Sequence, residues 1–276
     1  MRQTLPGFSL TLGFTILYIS FLVFIPLIAL VWYSLDFGWA GFWNAVWDER
    51  VFAALRLSFS ASFFAALING LFGLLIAWVL VRYNFFGKRI MDGIIDLPFA
   101  LPTAVAGIAL TSLYAENGWI GSLLAPLDIQ IVFTPFGVTV ALTFIGLPFV
   151  VRMVEPVLRT LEKETEEAAS LLGASPLTIF RTVLLPVLLP ALLAGMTLAF
   201  ARALGEYGSV VFIAGNIPMQ TEIVPLLIMN KLEQFDYAGA TAIATIMLAL
   251  SFLLLFTANV LQWWLAKKLG QKGAER

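Results

Sequence analysis

The sequence contains no cysteine and no histidine among its 276 residues. Without cysteine there can be no disulfides, no thiolate nucleophiles and no cysteine-ligated zinc or iron–sulfur sites. Without histidine, the side chain that most often acts as an acid–base catalyst near neutral pH is also missing. We therefore predict no metal site and no catalytic centre built on these residues.

Charge is also scarce. Charged residues make up 12% of the chain and hydrophobic residues 61%, with a formal net charge of -1 and a mean hydropathy of +0.95. Such a composition supplies too little polar surface to cover a soluble globule, so the chain is predicted to be an integral membrane protein. Basic residues do not outnumber acidic ones, 16 against 17, which argues against nucleic acid as a partner.

Six stretches run for 19 to 33 residues without Asp, Glu, Lys or Arg. A helix needs roughly 20 residues to cross the hydrocarbon core of a bilayer. The predicted fold is therefore an all-α integral membrane protein with six transmembrane helices in a single domain, residues 1–276. The first stretch is too long for a signal peptide and lacks a cleavage region, so it is predicted to remain as a helix. The predicted spans cover about residues 10–34, 57–81, 97–115, 132–152, 184–212 and 240–265.

The distribution of Lys and Arg predicts the orientation. If both termini are cytoplasmic, the inner segments hold 12 of the 16 basic residues, and the outer loops hold only Arg50, Arg56 and Lys231. An inner excess of basic residues is typical of cytoplasmic loops. The loop at about 160–185 is therefore predicted to be cytoplasmic.

That loop contains the segment "EEAASLLGASPLTIFRTVLLPVLLP", which begins at Glu166. Glu166 and Glu167 fall where carboxylates favour the start of a helix. Gly173 can adopt the left-handed conformation that ends a helix, and Ser175 can cap a second helix that begins with proline. The pattern predicts a helix, a glycine hinge and a second helix that runs to Pro186 along the inner face without crossing the bilayer.

Two interpretations of this loop are open from the residues. It could be an amphipathic connector that rests on lipid headgroups, or a docking element for a soluble partner. Docking is favoured because anionic inner-leaflet lipids would repel the acidic residues. The small side chains of Ala168 and Ala169 also admit close approach of another surface.

The same segment resembles the EAA signature of bacterial ABC importer permeases, with valine where that family usually has isoleucine. The resemblance implies the type I importer permease fold, in which this loop is a coupling helix that inserts into a groove on a separate ATPase subunit. It also implies that the first glutamate of the signature pairs with a basic residue of the ATPase and that the glycine supplies the turn. The matching positions are Glu167, Ala168, Ala169, Gly173 and Val183 to Pro186.

Further segments indicate which group of importer permeases the chain resembles. The chain is similar over nearly its whole length to the T-type permease subunits of sulfate/thiosulfate importers. Molybdate and tungstate permeases, which share "ARALGE" and "AGNIP" but typically lack the first span, are the alternative. The segments that carry the similarity are "LPGFSLTLGFTILYISFLVFIPLIALV", "DLPFALPTAVAG", "ARALGEYGSVVFIAGNI" and "KLEQFDYAGATAIA".

An ATP-driven importer needs a phosphate-binding loop, and this chain has none. The only Gly-Lys pair, Gly87-Lys88, precedes Arg89 and has no upstream glycine at the required spacing. ATP is therefore expected to bind to and be hydrolysed on another polypeptide, and the chain itself is predicted to bind no cofactor. The resemblance implies two ATPase subunits, a related W-type permease and a periplasmic sulfate-binding protein in the bacterial inner membrane. Pairing with a second copy of this chain is the alternative.

Arg202 and Glu206 form an ionisable pair in the fifth predicted span. Charged residues at membrane depth usually face protein or water and are often functional. Their spacing of four places them on one helical face, so they can neutralise each other. Alternatively, Arg202 attracts a passing dianion while Glu206 contributes to a gate, with Gly205 and Gly208 permitting bending.

Prolines mark a second candidate pathway segment. Pro98 and Pro102 disturb the start of the third predicted span, and freed carbonyls at membrane depth are tolerated beside protein or a watery cavity. The segment is predicted either to border the pathway or to form a packing kink.

Asp96 is interpreted as a helix-end residue, because a carboxylate would repel sulfate. Ser209 and Asn216 are candidate hydrogen-bonding residues near the outer mouth.

Two other classes of function are weighed against an importer subunit that works by alternating access. An ion-coupled secondary transporter would usually show inverted repeats, which are not found in this sequence. A membrane-embedded enzyme would need a constellation of catalytic groups, and only scattered acidic residues are present.

Overall fold

The computed structural model describes residues 7–35 and 38–274, and in these ranges all regular structure is helical. Arg2 and Arg276, which support the predicted placement of the termini, lie outside the described residues. The first eight α-helices are α1 (Phe8–Ile19), α2 (Ile25–Leu35), α3 (Gly38–Val46), α4 (Glu49–Arg82), α5 (Lys88–Ile95), α6 (Leu97–Ala100), α7 (Thr103–Tyr114) and α8 (Gly121–Leu124). The other seven are α9 (Pro135–Thr160), α10 (Lys163–Leu171), α11 (Pro176–Ile179), α12 (Leu185–Leu204), α13 (Gly208–Ala214), α14 (Val224–Glu233) and α15 (Tyr237–Ala274). π-Helical turns occupy Ser20–Phe24 and Phe180–Leu184, and a 3-10 turn occupies Ala125–Leu127.

Five helical stretches of the described chain are long and apolar enough to cross a membrane. The predicted all-α fold is therefore confirmed. The region predicted as the third span contains instead the 12-residue helix α7, which at 1.5 Å per residue is only about 18 Å long. The count of six spans remains a prediction. The five stretches are Phe8–Ser34, Glu49–Arg82, Pro135–Thr160, Pro176–Leu204 and Tyr237–Trp264.

Local capping fixes where the two central helices begin. The Asp48 carboxylate accepts a hydrogen bond of 2.7 Å from the Arg50 backbone N–H, which satisfies a free donor at the start of α4. The Thr134 hydroxyl accepts a bond of 3.2 Å from the Gly137 N–H at the start of α9, where Pro135 occupies the first helical position. The sequence thus sets both helix starts locally.

Glycines bring α4, α9 and α12 together at the centre of the molecule. A Cβ at Gly73 would lie 2.8 Å from Val150 Cγ1, and a Cβ at Gly195 would lie 2.9 Å from Val150 Cα. Small residues are the usual means by which helices approach closely in membranes. The three helices therefore form one tightly packed unit.

The remaining long helices lie at the periphery. α15 packs against α2, α12 and α14, whereas no residue of Phe8–Phe24 is buried. A helix that is apolar on all sides and unburied is stable only in an apolar solvent. The first helix is therefore suited to lipid or to the apolar surface of another membrane subunit.

Candidate coupling site and transport pathway

The loop between α9 and α12 folds as two helical arms joined by a tight turn. Gly173 has φ of 85°, in the left-handed region, and its N–H donates to the Ser170 carbonyl at 2.9 Å. The Ala174 N–H donates to the Ala169 carbonyl at 3.1 Å. The Ser175 hydroxyl then accepts a bond of 3.3 Å from the Thr178 N–H and caps α11. The glycine turn and serine cap have the local roles that the sequence predicts.

The second arm differs from its predicted course. It was expected to lie along the inner face, but Pro176–Leu204 forms one continuous helical stretch that is long enough to span the membrane. The π-helical turn Phe180–Leu184 lies within it, directly before Pro186 in the first turn of α12. Because proline lacks an N–H, irregular hydrogen bonding is expected beside it. The second arm is therefore a direct extension of α12.

The first arm is attached to the inner end of α4 by Arg82. Its guanidinium donates to the Leu161 carbonyl through both terminal nitrogens, at 3.2 Å each. It also forms an ion pair of 2.5 Å with the Glu166 carboxylate. The Arg82 side chain is 9% exposed and the Glu166 side chain 23% exposed, so water competes little for the guanidinium. Arg82 thus connects the loop to a membrane-spanning helix.

The opposite face of the first arm is open. Glu167 and Ala168 are exposed, and Ala169 is half-buried. At the tip, Leu171 and Leu172 are each 89% exposed, although both are among the most apolar side chains. Exposed apolar residues surrounded by polar residues are typical of protein contact surfaces. Sequence reasoning missed these two leucines, and the signal was a Leu-Leu pair directly before the helix-ending glycine.

The predicted third span is interrupted at Pro102. α6 ends at Ala100, the next residue Leu101 has an extended backbone with ψ of 137°, and α7 starts at Thr103. Pro98 lies in the first turn of α6, and Pro102 is the residue that precedes α7. Both prolines therefore start short helices. Neither one kinks a continuous helix.

The fifth predicted span is interrupted as well, at Gly205. Glu206 lies just beyond the end of α12, and its carboxylate is 2.7 Å from the Arg202 guanidinium. The other carboxylate oxygen accepts bonds of 2.9 Å from both the Ser209 N–H and the Ser209 hydroxyl. The Glu206 side chain is 2% exposed and the Arg202 side chain 35% exposed. The negative charge is therefore enclosed, while the positive charge remains accessible.

The two interruptions lie next to each other. A Cβ at Gly208 would lie 2.2 Å from the Thr103 hydroxyl oxygen, and a Cβ at Gly107 would lie 2.5 Å from the Ser209 carbonyl oxygen. Only glycine permits such close approach of the two backbones. The structure thus brings together Pro102, Arg202, Glu206 and Ser209 from segments about 100 residues apart in sequence.

Asn216 belongs to a different cluster. It has φ of 51°, and its amide donates to the Asn230 side chain at 3.1 Å. The Asn230 amide donates in turn to Glu222 at 2.6 Å, and Arg50 pairs with the same carboxylate through two bonds of 2.6 and 2.7 Å. This network joins the start of α4 to the loop around α14. Asn216 is therefore held in a loop structure apart from the interrupted helices.

Further along this loop, Lys231 and Asp236 form an ion pair of 2.9 Å. The hydrogen bond from Lys231, followed by the one from the Gly239 N–H, lowers the pKa of the Asp236 carboxyl below its usual value. The carboxylate therefore stays charged down to unusually low pH. The ion pair therefore holds the end of α14 next to the start of α15.

A second ionic network was not predicted from the sequence. Arg152 on α9 donates to both Asp96 carboxylate oxygens, at 2.8 and 2.6 Å, and to Asp92 and Glu155 at 2.8 and 2.7 Å. Arg159 pairs with Glu155 from the next turn. Asp96 is thus a helix-end residue held by an arginine, directly before the interruption in the third predicted span. The only sequence signal was the presence of charges at the ends of neighbouring apolar runs.

Residues 69–271 of the chain match the protein family described as "binding-protein-dependent transport system inner membrane component". The chain is 50% identical over 261 residues to the sulfate transport system permease protein CysT of Salmonella typhimurium, covering 95% of this chain and 94% of the relative. It is 49% identical over 261 residues to the protein of the same name from Escherichia coli K12, with the same coverage. A relative named likewise from Synechococcus elongatus is 50% identical over 251 residues, covering 91% of this chain and 90% of that one.

Solved structures share the fold. A chain of a bacterial ABC transporter involved in the import of the acidic polysaccharide alginate superposes with a TM-score of 0.73 at 14% identity, covering 93% of this chain and 95% of that one. A chain of the MetNI methionine ABC transporter, in an inward-facing conformation, superposes with a TM-score of 0.56 at 21% identity, covering 78% and 94%. At these identities the likeness concerns the fold alone. The family match over residues 69–271 and the relatives of about 50% identity establish that the chain belongs to the family of binding-protein-dependent transport system inner membrane components.

Proposed function

We propose that the chain is the membrane-spanning permease subunit of an ATP-driven ABC importer that carries sulfate, and by resemblance thiosulfate, into the cytoplasm. The observation that carries this proposal is the first arm of the coupling loop, the helix α10 that ends before Gly173. It presents Glu167, Ala168 and an exposed leucine pair on one side, while Arg82 binds its other side to a spanning helix. The relatives named as sulfate transport permeases support the choice of substrate.

The loop transmits the motion of an ATPase to the membrane. Two ATPase subunits close on ATP and draw the docked loops with them. Because the second arm is continuous with α12 and the first arm is bound to α4, both spanning helices move with the loop. The cavity then opens towards the outside, and hydrolysis returns it to the inward-facing state.

The partners follow from the same proposal. A related W-type permease, or a second copy of this chain, completes the pathway, and a periplasmic sulfate-binding protein delivers the anion. Both termini are cytoplasmic, in agreement with the distribution of basic residues. The loop containing Asn216 faces the side on which the binding protein docks.

The anion passes beside the paired interruptions in the third and fifth spans. Arg202 is 35% exposed and presents a positive charge to a dianion. The Glu206 carboxylate repels the anion little, because its side chain is 2% exposed and the charge of Arg202 offsets its own, while Ser209 holds its other oxygen. Pro98 and Pro102 begin the two short helices α6 and α7 on the neighbouring segment. These residues form the proposed gate.

The test is uptake of labelled sulfate by the reconstituted complex, with molybdate as competitor. Glu167→Arg is expected to abolish ATPase docking while the chain remains in the membrane, because it reverses the charge on the docking face. Glu233→Arg, an exposed charge reversal on α14 outside the coupling loop, is the matched control and is expected to dock normally. Uptake by vesicles that contain this chain and no ATPase would disprove the importer assignment. Stronger competition by molybdate than by sulfate itself would disprove the substrate.

A further inference from the structure

A cavity of about 630 Å³ lies between α4, α12 and α15, away from the coupling site and the interrupted helices. It exists because α12 packs against both α4 and α15 and forms the floor of a groove between these two helices. Its walls carry Phe59, Phe63 and Leu67 from α4, Phe200 from α12 and Ala258 from α15. The groove is therefore lined mainly by aromatic and aliphatic groups.

The hydroxyl groups in the groove are already satisfied. The Ser60 hydroxyl donates to the Leu57 carbonyl at 3.2 Å. The Thr197 hydroxyl donates to the Leu193 carbonyl at 2.9 Å and accepts from the Gln262 amide at 2.5 Å. Beyond Arg56, an occupant of the groove therefore gains mainly from apolar contact.

One end of the groove carries a positive charge. Arg56 lines the cavity, is exposed, and pairs with no carboxylate in the described ranges of the chain. It precedes 25 uncharged residues of α4 that end at Arg82, a rise of about 38 Å that exceeds the roughly 30 Å of a hydrocarbon core. Arg56 therefore lies at the headgroup boundary, on the side of the membrane opposite the coupling loop.

The length and the apolar lining of the groove suit hydrocarbon chains. From Arg56 to Leu67 the groove is about 16 Å long, half the thickness of the hydrocarbon core. A hydrocarbon chain is about 4–5 Å wide, since carbon atoms pack at 3.5–4.0 Å. The groove therefore accommodates the two chains of one phospholipid.

We propose that this groove is a binding site for an anionic phospholipid, with its phosphate on Arg56 and its acyl chains against α4, α12 and α15. Arginine pairs well with phosphate through its fork of donors, and the negative charge of the headgroup adds attraction to the exposed Arg56 guanidinium. The site goes beyond sulfate transport and does not depend on it. Its placement in the outer leaflet follows the proposed orientation of the chain.

The test uses the purified complex in nanodiscs that contain phosphatidylglycerol with a photoreactive diazirine on one acyl chain. After illumination, mass spectrometry maps the labelled peptides. Because both leaflets of a nanodisc have the same composition, the result does not depend on the orientation of the chain. Sulfate uptake is measured separately, so failure of this site and failure of the transport assignment are distinguishable.

Labelling is expected to concentrate on the α4 and α12 walls of the groove. Arg56→Gln is expected to reduce it about fivefold, the effect of one basic residue on an anionic lipid. Ala258→Trp fills the groove from α15 and is expected to abolish labelling there. Val260→Trp, an exposed position farther round the same helix, is the matched control and should leave labelling unchanged.

Two results would overturn the proposal. One is labelling of the groove at the same frequency as the exposed first helix, with no response to Arg56→Gln or Ala258→Trp. The other is crosslinking of the groove to a second protein chain, which would identify a helix as the occupant. The sequence contains no cysteine, so a single Ser60→Cys with a short bifunctional reagent reports the second case directly.

Discussion

Replacing Arg82 should separate ATP hydrolysis from transport. In Arg82→Gln the Glu166 carboxylate loses its ion pair, and the Leu161 carbonyl loses both of its bonds from the guanidinium. The docking residues on the opposite face of the loop are untouched. The complex is therefore expected to assemble and to hydrolyse ATP while moving less anion per ATP.

The magnitude follows from the burial of the pair. Removing one partner of a fully buried ion pair costs about 3–5 kcal/mol. Glu166 is 23% exposed and regains some hydration, so a loss of about 2 kcal/mol is expected for the loop attachment. That loss raises the population of the released loop about 30-fold.

The assay is the ratio of sulfate transported to ATP hydrolysed in proteoliposomes, for Arg82→Gln, Glu166→Gln and the double variant. Since the two residues act as one unit, the double variant should be little worse than Arg82→Gln alone. Arg82→Lys is the conservative control. It keeps the charge but cannot reach both partners with a planar fork, so an intermediate ratio is expected. An unchanged ratio in a fully assembled Arg82→Gln complex would refute the proposed linkage.

Three further predictions concern single positions. Gly173→Ala places a side chain at φ of 85°, at a cost of about 1–2 kcal/mol, and should weaken ATPase binding 5- to 30-fold in a pull-down titration; unaltered binding would contradict the turn geometry. Glu206→Gln leaves Arg202 without its carboxylate; because the Arg202 side chain is 35% exposed and regains hydration, the chain should be destabilised by about 1–2 kcal/mol, seen as a lower melting temperature in detergent. The double variant with Arg202→Met should recover most of this loss, and no recovery would argue against the pair. Gly208→Ala introduces a Cβ 2.2 Å from the Thr103 hydroxyl and should slow sulfate uptake; partial rescue by Thr103→Ala is expected if that contact is the cause.

The sequence predicted well what depends on neighbouring residues. The apolar runs identified the long helices because hydrocarbon requires about 20 uncharged residues in a row. The glycine turn and the serine cap of the loop were also predicted, since Gly173 and Ser175 act within three or four residues of themselves, but the course of the second arm was not.

Features that depend on distant residues were not predictable. The bond between Arg82 and Glu166 joins positions 84 apart, and the Arg152 network joins positions 56 and 60 apart. Apolar run length also cannot distinguish one helix from two short ones, so the region around Pro102 was predicted as a single span that either borders the pathway or carries a packing kink, and its division into two helices was missed. Hydropathy alone assigns Leu171 to a buried face, whereas the structure exposes it at the tip of a polar loop.

The position of the interruptions explains how a small motion at the loop can become a large one at the far side of the membrane. From Ser175 to Gly205 the second arm and α12 form a helical rod about 44 Å long. A tilt of about 10° moves its far end by about 8 Å, which exceeds the spacing of packed side chains. If α12 continued as regular helix beyond Gly205, the outer loops would have to move together with it. Because regular helix stops at Gly205 and at Pro102 on the neighbouring segment, backbone rotation there absorbs the displacement, and the change is concentrated beside Arg202 on the proposed path of the anion.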